Sequence, residues 1–189
     1  MMHRLGLQDC LPQPWRNGGG VTRELLAWPV QAQWLLRVSV ASIDRSGPFS
    51  PFPGVERWFT VLTGAGVRLA LADGLHRLAP GDEPVQFDGE EAPGCTLVDG
   101  PTTDLNLMLR RGAGTALMQP ATAGSSVEGS TQWRGLYTAA PVLLGIDGVA
   151  EPVPAGTLVW SDGQEASVWC LRSGGDSAES AAWWLTLQA

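Results

Sequence analysis

The sequence predicts an all-β protein built of short antiparallel strands, arranged as a duplicated small barrel. Three observations predict it. Its 189 residues include 24 glycines and 14 prolines, and its apolar runs are short. That favours many strands with tight turns over long helices. Several of the runs alternate apolar and polar residues with period two. The stretch from Leu78 to Gly89 is echoed by Val153 to Gly163. Each reads turn, glycine, apolar strand and Asp-Gly turn, and each leads to an apolar strand with a cysteine.

Taken in order, Pro14-Trp15-Arg16-Asn17-Gly18-Gly19-Gly20 reads as a loop, followed by a strand over Val21–Ala27. Asn-Gly is a turn signal. Two uses fit the glycines: a tight connection between strands, or a row of amides that cradles an anion. The Gly-Lys-Ser/Thr ending of a phosphate loop is missing. Trp34–Ile43 is a strand with Trp34, Leu36, Val38 and Val40 on one face and Arg37, Ser39 and Ala41 on the other. Arg37 and Ser39 suit either a polar lumen or a wet edge strand.

Gly47-Pro48-Phe49-Ser50-Pro51-Phe52-Pro53-Gly54 is a loop stiffened by three prolines. It delivers Arg57 to the start of the strand Arg57–Leu62. Arg57 is then a fixed cation suited to an anion, or a rim residue paired with Glu56 or Glu24. The turn Thr63–Gly66 and the strand Val67–Leu71 read with the preceding strand as a hairpin. Strands follow over Leu75–Leu78, Val85–Phe87, Cys95–Val98 and Asp104–Arg110. In the last, Asp104, Asn106 and Met108 share one face, and Leu105, Leu107 and Leu109 the other. Such alternation fits a pocket wall or a solvent-facing sheet.

Residues 112–131 are rich in Gly, Ala, Ser and Thr and read as a connector or a weakly specified strand between the halves. Strands resume at Pro141–Ile146, Glu151–Val153, Leu158–Trp160, Ser167–Leu171 and Trp183–Leu187. The expected division is 1–111, a first half carrying the pocket, and 112–189, connector plus second half, in one compact unit. Five of the nine tryptophans (Trp133, Trp160, Trp169, Trp183 and Trp184) fall in the second half, which reads as a packing unit.

Composition excludes several chemistries. The net charge of −7 opposes binding to nucleic acid or to anionic membrane surfaces. No apolar stretch has spanning length, and the first residues lack the apolar core of a signal peptide. Three widely spaced cysteines, Cys10, Cys95 and Cys170, point to a reducing cytoplasm. All 12 basic residues are arginine, which removes lysine-based catalysis. Two histidines and no His-x-His or Cys-x-x-Cys leave a zinc or iron site without its usual ligands. The expectation is no metal and no cofactor.

Several segments together resemble the HutD/Ves family of bacterial proteins. They are the loop 14–20 with Thr22-Arg23-Glu24, residues 37–43, the proline loop with Arg57, and Asp104-Leu105-Asn106-Leu107-Met108. The resemblance implies a double cupin-like (bicupin) antiparallel barrel or sandwich with few short helices. Cupins that bind metals carry a His-x-His where this chain has Val67–Leu71, so a metal-free relative is implied. Some members are associated with histidine-utilisation genes and look like sensors or regulators of that pathway's small acids; Ves members are linked to cold response.

The leading expectation is a non-enzymatic protein that binds a small anionic metabolite of the urocanate or formylglutamate type. Its ligand-binding residues would be Arg57, Arg37, Asn106, Trp15, Arg16, Asn17, Ser39 and Phe49. The alternative is a metal-free isomerase or hydrolase using Glu24 or Asp104 as acid or base. A third reading is a structural or interaction role, in which an exposed edge strand or tryptophan patch would allow a homodimer.

Overall fold

The computed structural model describes residues 2–128, 131–163, 167–173 and 182–189. Residues 129–130 of the expected connector lie outside that set. The strands are β1 (Met2–Gly6), β2 (Pro12–Pro14), β3 (Gly20–Trp28), β4 (Leu36–Ile43), β5 (Gly47–Pro48), β6 (Val55–Thr63), β7 (Val67–Leu71), β8 (Gly74–Leu78), β9 (Val85–Asp88), β10 (Gly94–Leu97), β11 (Thr102–Arg110), β12 (Thr115–Pro120), β13 (Ser126–Val127), β14 (Trp133–Thr138), β15 (Val142–Ile146), β16 (Val149–Val153), β17 (Thr157–Ser161), β18 (Trp169–Ser173) and β19 (Ala182–Gln188). Helical structure among the described residues is limited to 3₁₀ turns at Leu7–Asp9, Gln31–Gln33 and Gly89–Glu91. No helix there is long and apolar enough to cross a membrane.

The chain divides into two units, Cys10–Ala113 and Met1–Asp9 with Gly114–Ala189. The first strand therefore belongs with the C-terminal half, because Met2–Gly6 pairs with β17. The division expected from sequence kept residues 1–9 with the first half, since nothing local shows where an N-terminal strand finds its partner.

In unit Cys10–Ala113 one antiparallel sheet runs β2-β3-β4-β11-β6-β9 and the other runs β5-β10-β7-β8. Their inner faces share one core: Ile43, Phe59, Val61 and Phe87 from the first sheet meet Val67, Leu69, Leu78 and Cys95 from the second. The form is a sandwich of two sheets, each face built by alternation. β6 and β7 lie in different sheets, so the expected hairpin between them does not form. Gly64 and Gly66 turn the chain from one layer to the other with φ of +97° and +94°. A Cβ on Gly66 would stand 2.1 Å from the Leu78 carbonyl oxygen, so only glycine passes there. The true hairpin is β7–β8.

The other unit repeats this plan. Its sheets run β12-β19-β14-β17, with β1 beyond β17, and β13-β18-β15-β16. That is the order β4-β11-β6-β9 and β5-β10-β7-β8 again, with Cys95 on β10 and Cys170 on β18. The echo in the sequence is a true structural duplication. β12 and β13 form where a connector or a weakly specified strand was expected, and β14 has no counterpart among the expected strands. The sequence Trp133-Arg134-Gly135-Leu136-Tyr137-Thr138 does not alternate, yet all six residues are buried. The core of this unit is Leu136, Val142, Leu144, Val153, Val159, Trp169, Leu171 and Trp184. Cys95 is a buried thiol and Cys170 a partly buried one, neither in a disulfide.

Candidate functional site

The site lies inside unit Cys10–Ala113, on the inner face of the six-stranded sheet. Pairing aligns the inward residues in rows. Arg37 of β4, Met108 of β11, Arg57 of β6 and Phe87 of β9 form one row. Ser39, Asn106 and Phe59 form the next, and Ala41, Asp104 and Val61 the third. β4 and β11 are internal strands, so Arg37 is no edge residue and the polar face of β11 does not point to solvent. Asp104 stays in register opposite Val61, and the bulge between Thr103 and Asp104 shifts Thr103 to a place opposite Thr63.

These rows form the wall of a cavity of about 370 Å³. Arg57, Arg37, Ser39, Asn106, Asp104, Trp15, Arg16, Asn17 and Phe49 all line it. Of the acid/base pair in the enzyme reading, only Asp104 does. Glu24 is drawn off by Arg37, whose Nε donates to its Oε2 at 2.5 Å. Phe52, Met108, Thr22 and Ala41 also line the cavity and were not expected from sequence.

Arg57 is 4% exposed. Its Nη2 donates to Asn106 Oδ1 at 2.9 Å. Its Nε and Nη1 have no protein acceptor. Neither Glu56 nor Glu24 takes it: Glu56 accepts from Gln86 and Glu24 from Arg37. Three rings surround the guanidinium, Phe87 at 5.1 Å, Phe49 at 5.2 Å and Phe52 at 5.4 Å. Cation–π attraction offsets part of the desolvation and holds the fork still. Phe87 is adjacent to Arg57 across the β6–β9 pairing, a signal visible only once the register is known. Burial pulls the Arg57 pKa down to about 10, Asp104 opposes this and Arg37 adds to it, so the group stays cationic at neutral pH.

Asp104 is 1% exposed. Its Oδ1 accepts from Asn106 Nδ2, and its Oδ2 has no partner. Burial pushes its pKa up to about 8, against the opposing pull of Arg57 and the Asn106 hydrogen bond. The carboxyl therefore holds its proton at neutral pH. Cys95 is raised to about 12 by burial and by Asp104, so it is an inert thiol.

The proline loop is tied down by its backbone. Phe49 N–H donates to Pro93 O at 3.0 Å, and Phe52 N–H to Gly89 O at 2.7 Å. Gly54 N–H donates to Glu90 Oε1 at 3.0 Å. The glycine loop is a tight connection. Gly18 N–H goes to Trp15 O at 3.0 Å and Gly19 N–H to Asn17 Oδ1 at 2.9 Å, so those amides are not offered to an anion. Gly20 lets Trp15 lie flat over the strand: a Cβ there would be 2.3 Å from Ser42 O and 3.2 Å from the indole. Trp15 Nε1 donates to Thr22 Oγ1 at 2.8 Å, which fixes the ring at the cavity wall.

The cupin-like fold that the resemblance implies raises the question of a metal. The uncompensated Arg57 guanidinium repels a cation, a protonated Asp104 carboxyl is a poor metal ligand, and β7 carries no histidine. No group of three His, Cys, Asp or Glu side chains gathers among the described residues. The donor set does not fit a metal ion.

A model of the HutD family matches residues 7–171. The chain belongs to the HutD family. It is similar to the Ves protein of Citrobacter koseri, 41% identical over 101 residues, which are 51% of this chain and 52% of that one. It is similar to an uncharacterised 21.2 kDa protein in the hutC 3′ region of Pseudomonas putida, 41% identical over 110 residues, 55% of this chain and 56% of that one. The chain thus spans about half the length of the curated relatives it matches. The solved structure of HutD from Pseudomonas fluorescens SBW25 aligns with a TM-score of 0.85 at 24% identity, over 100% of this chain and 98% of that one. Salicylate 1,2-dioxygenase from Pseudoaminobacter salicylatoxidans aligns with a TM-score of 0.61 at 7% identity, over 98% of this chain and 81% of that one, a likeness of fold alone. These findings place this HutD-family chain in the double cupin-like architecture.

Proposed function

We propose that this HutD-family chain is a metal-free binding protein for a small carboxylate metabolite, serving as a sensor or regulator of histidine utilisation. One observation carries the reading. Arg57 is a buried cation in a cavity wall with two N–H groups unpartnered. Arg37 is neutralised by Glu24, and Asp104 holds its proton, so no fixed anion balances Arg57. Buried charges and donors are costly unless partnered. A carboxylate supplies both the charge and a matching pair of oxygens. Each charge-assisted bond contributes on the order of 1.5–3 kcal/mol, against roughly 0–1 kcal/mol for an exposed ion pair.

Trp15 and Phe49 add flat walls, 6.4 Å apart and edge to face, on which a planar group can rest. The relative in the hutC 3′ region supports a link to histidine utilisation, and acids of the urocanate or formylglutamate type are the ligands proposed from it. The test is titration calorimetry with urocanate and N-formylglutamate after a thermal-shift screen of pathway acids. Binding is expected for the native protein and is lost in Arg57→Ala. Equal affinity in that variant sinks the assignment.

A second reading, a metal-free isomerase or hydrolase, rests on Asp104, a carboxyl whose proton is exchangeable near neutral pH inside the cavity. Turnover of an acidic substrate that disappears in Asp104→Asn would support it. A protein that binds these acids and leaves them unchanged would remove it.

A further inference from the structure

We propose that Asp104 is the specificity-determining proton donor of this cavity: its free Oδ2–H bonds the carboxylate held by Arg57, so the anion binds to the protonated acid and is released when that proton leaves. The proposal rests on the carboxylate reading above and deepens it.

The geometry supplies three supports. Asn106 spans the two groups, accepting from Arg57 through Oδ1 and donating to Asp104 Oδ1 through Nδ2. Both acid and base are thereby held on one side, which leaves Asp104 Oδ2 and Arg57 Nε and Nη1 as the unpartnered atoms. All three residues line the same cavity. A carboxylate is an acceptor only, so a deprotonated Asp104 beside it would set two like charges in a buried site. A protonated one offers a short, strong O–H···O⁻ bond instead.

The groups around Asp104 come from each neighbouring strand. β6 brings Arg57, β11 Asn106, β4 Arg37 and Ser39, and β10 Cys95. Ala41 and Val61 flank it directly. Arg37 is committed to Glu24, and Cys95 keeps its proton, so neither takes the proton of Asp104. The apolar flanks explain why it is retained. An anion placed on Arg57 removes the one positive charge that favours ionisation, so binding strengthens the hold on that proton. No bond is made or broken besides hydrogen bonds; one proton is gained per anion when the free carboxyl is ionised.

The test is calorimetry with N-formylglutamate, which carries no group titrating in the range used. Native protein should bind with one Kd from about pH 6.5 to 7.5, and Kd should rise roughly tenfold per unit at about pH 8.5 to 9.5. Enthalpies in two buffers of different ionisation heat should show uptake of up to about one proton per ligand near pH 8.5. That measurement needs no variant. Asp104→Asn, which keeps an N–H donor, should bind at all of these pH values with a flat profile. A flat native profile without proton uptake overturns the proposal alone, as does a slope retained in Asp104→Asn. No binding at any pH overturns both it and the carboxylate reading.

Discussion

Arg57 and Asp104 share one cavity without forming an ion pair. Asn106 stands between them and gives one end of its amide to each. A buried arginine and a carboxyl this near would normally close into an ion pair. Here the spacer keeps the cation's fork open, and the aromatic rings around it replace part of the lost hydration. The site is built to hold a charge in readiness, at a cost in stability.

That cost is measurable. Arg57→Met removes an unbalanced buried cation and fills its volume with an apolar chain. We expect the variant to be about as stable as the native protein, because relief of the buried cation offsets the orphaned Asn106 Oδ1, a cost of about 1–3 kcal/mol. Carboxylate binding should weaken at least a hundredfold, the equivalent of about 3 kcal/mol. Urea denaturation and calorimetry check the two halves separately. A variant that loses stability and keeps affinity would contradict the assignment of Arg57.

Asn106→Leu should behave in the opposite way. It leaves Arg57 Nη2 and Asp104 Oδ1 without partners, in addition to the atoms already unpartnered. Each newly orphaned group costs about 1–3 kcal/mol. We expect a clear fall in the urea midpoint with an unchanged slope, and weaker binding because the guanidinium is no longer held.

Stability should fall as pH rises toward mild alkali. The Asp104 pKa is raised from 3.8 to about 8. Between those values the folded chain holds a proton that the unfolded chain has released. The unfolded state then binds fewer protons, so stability falls with rising pH across that window and levels off above about pH 8. Asp104→Asn should flatten this part of the profile. Chemical denaturation of both proteins across the window is the measurement, and parallel profiles would refute the shift.

Gly20→Ala should damage the cavity rather than the core. The new methyl meets the Ser42 carbonyl at 2.3 Å and the Trp15 ring at 3.2 Å. We expect a destabilisation of about 1–3 kcal/mol, as for overpacking elsewhere. Binding of a planar acid should weaken more than binding of acetate, because the indole wall is displaced.

Much of this was legible in the chain. The alternation through Arg37 and Ser39, and through Asp104 and Asn106, placed those side chains on common faces, and the paired strands bring those faces together. The echo of Leu78–Gly89 in Val153–Gly163 corresponds to a repeated strand order. What stayed hidden depends on distant partners. The layer change at Gly64 and Gly66 looks like a hairpin turn, because local sequence does not say which sheet the next strand joins. β14 was invisible because Arg134 and Thr138 are buried with polar partners: Arg134 donates to Thr131 Oγ1 and Ser167 O, and Thr138 to Pro154 O. The Phe52 and Phe87 walls of the arginine cage follow from register and loop course. The pairing of Glu24 with Arg37, which removes Glu24 from the cavity, needs the pairing of β3 with β4.

The placing of the tryptophans relative to the cavity has an optical consequence. Of nine indoles, Trp15 is the one that lines the cavity, while Trp133, Trp169, Trp183 and Trp184 are buried in the other unit. Intrinsic emission is then dominated by fluorophores remote from the ligand, and occupancy would change it little. Replacing Trp15 by phenylalanine and subtracting the two spectra isolates the reporter that sits beside the bound acid.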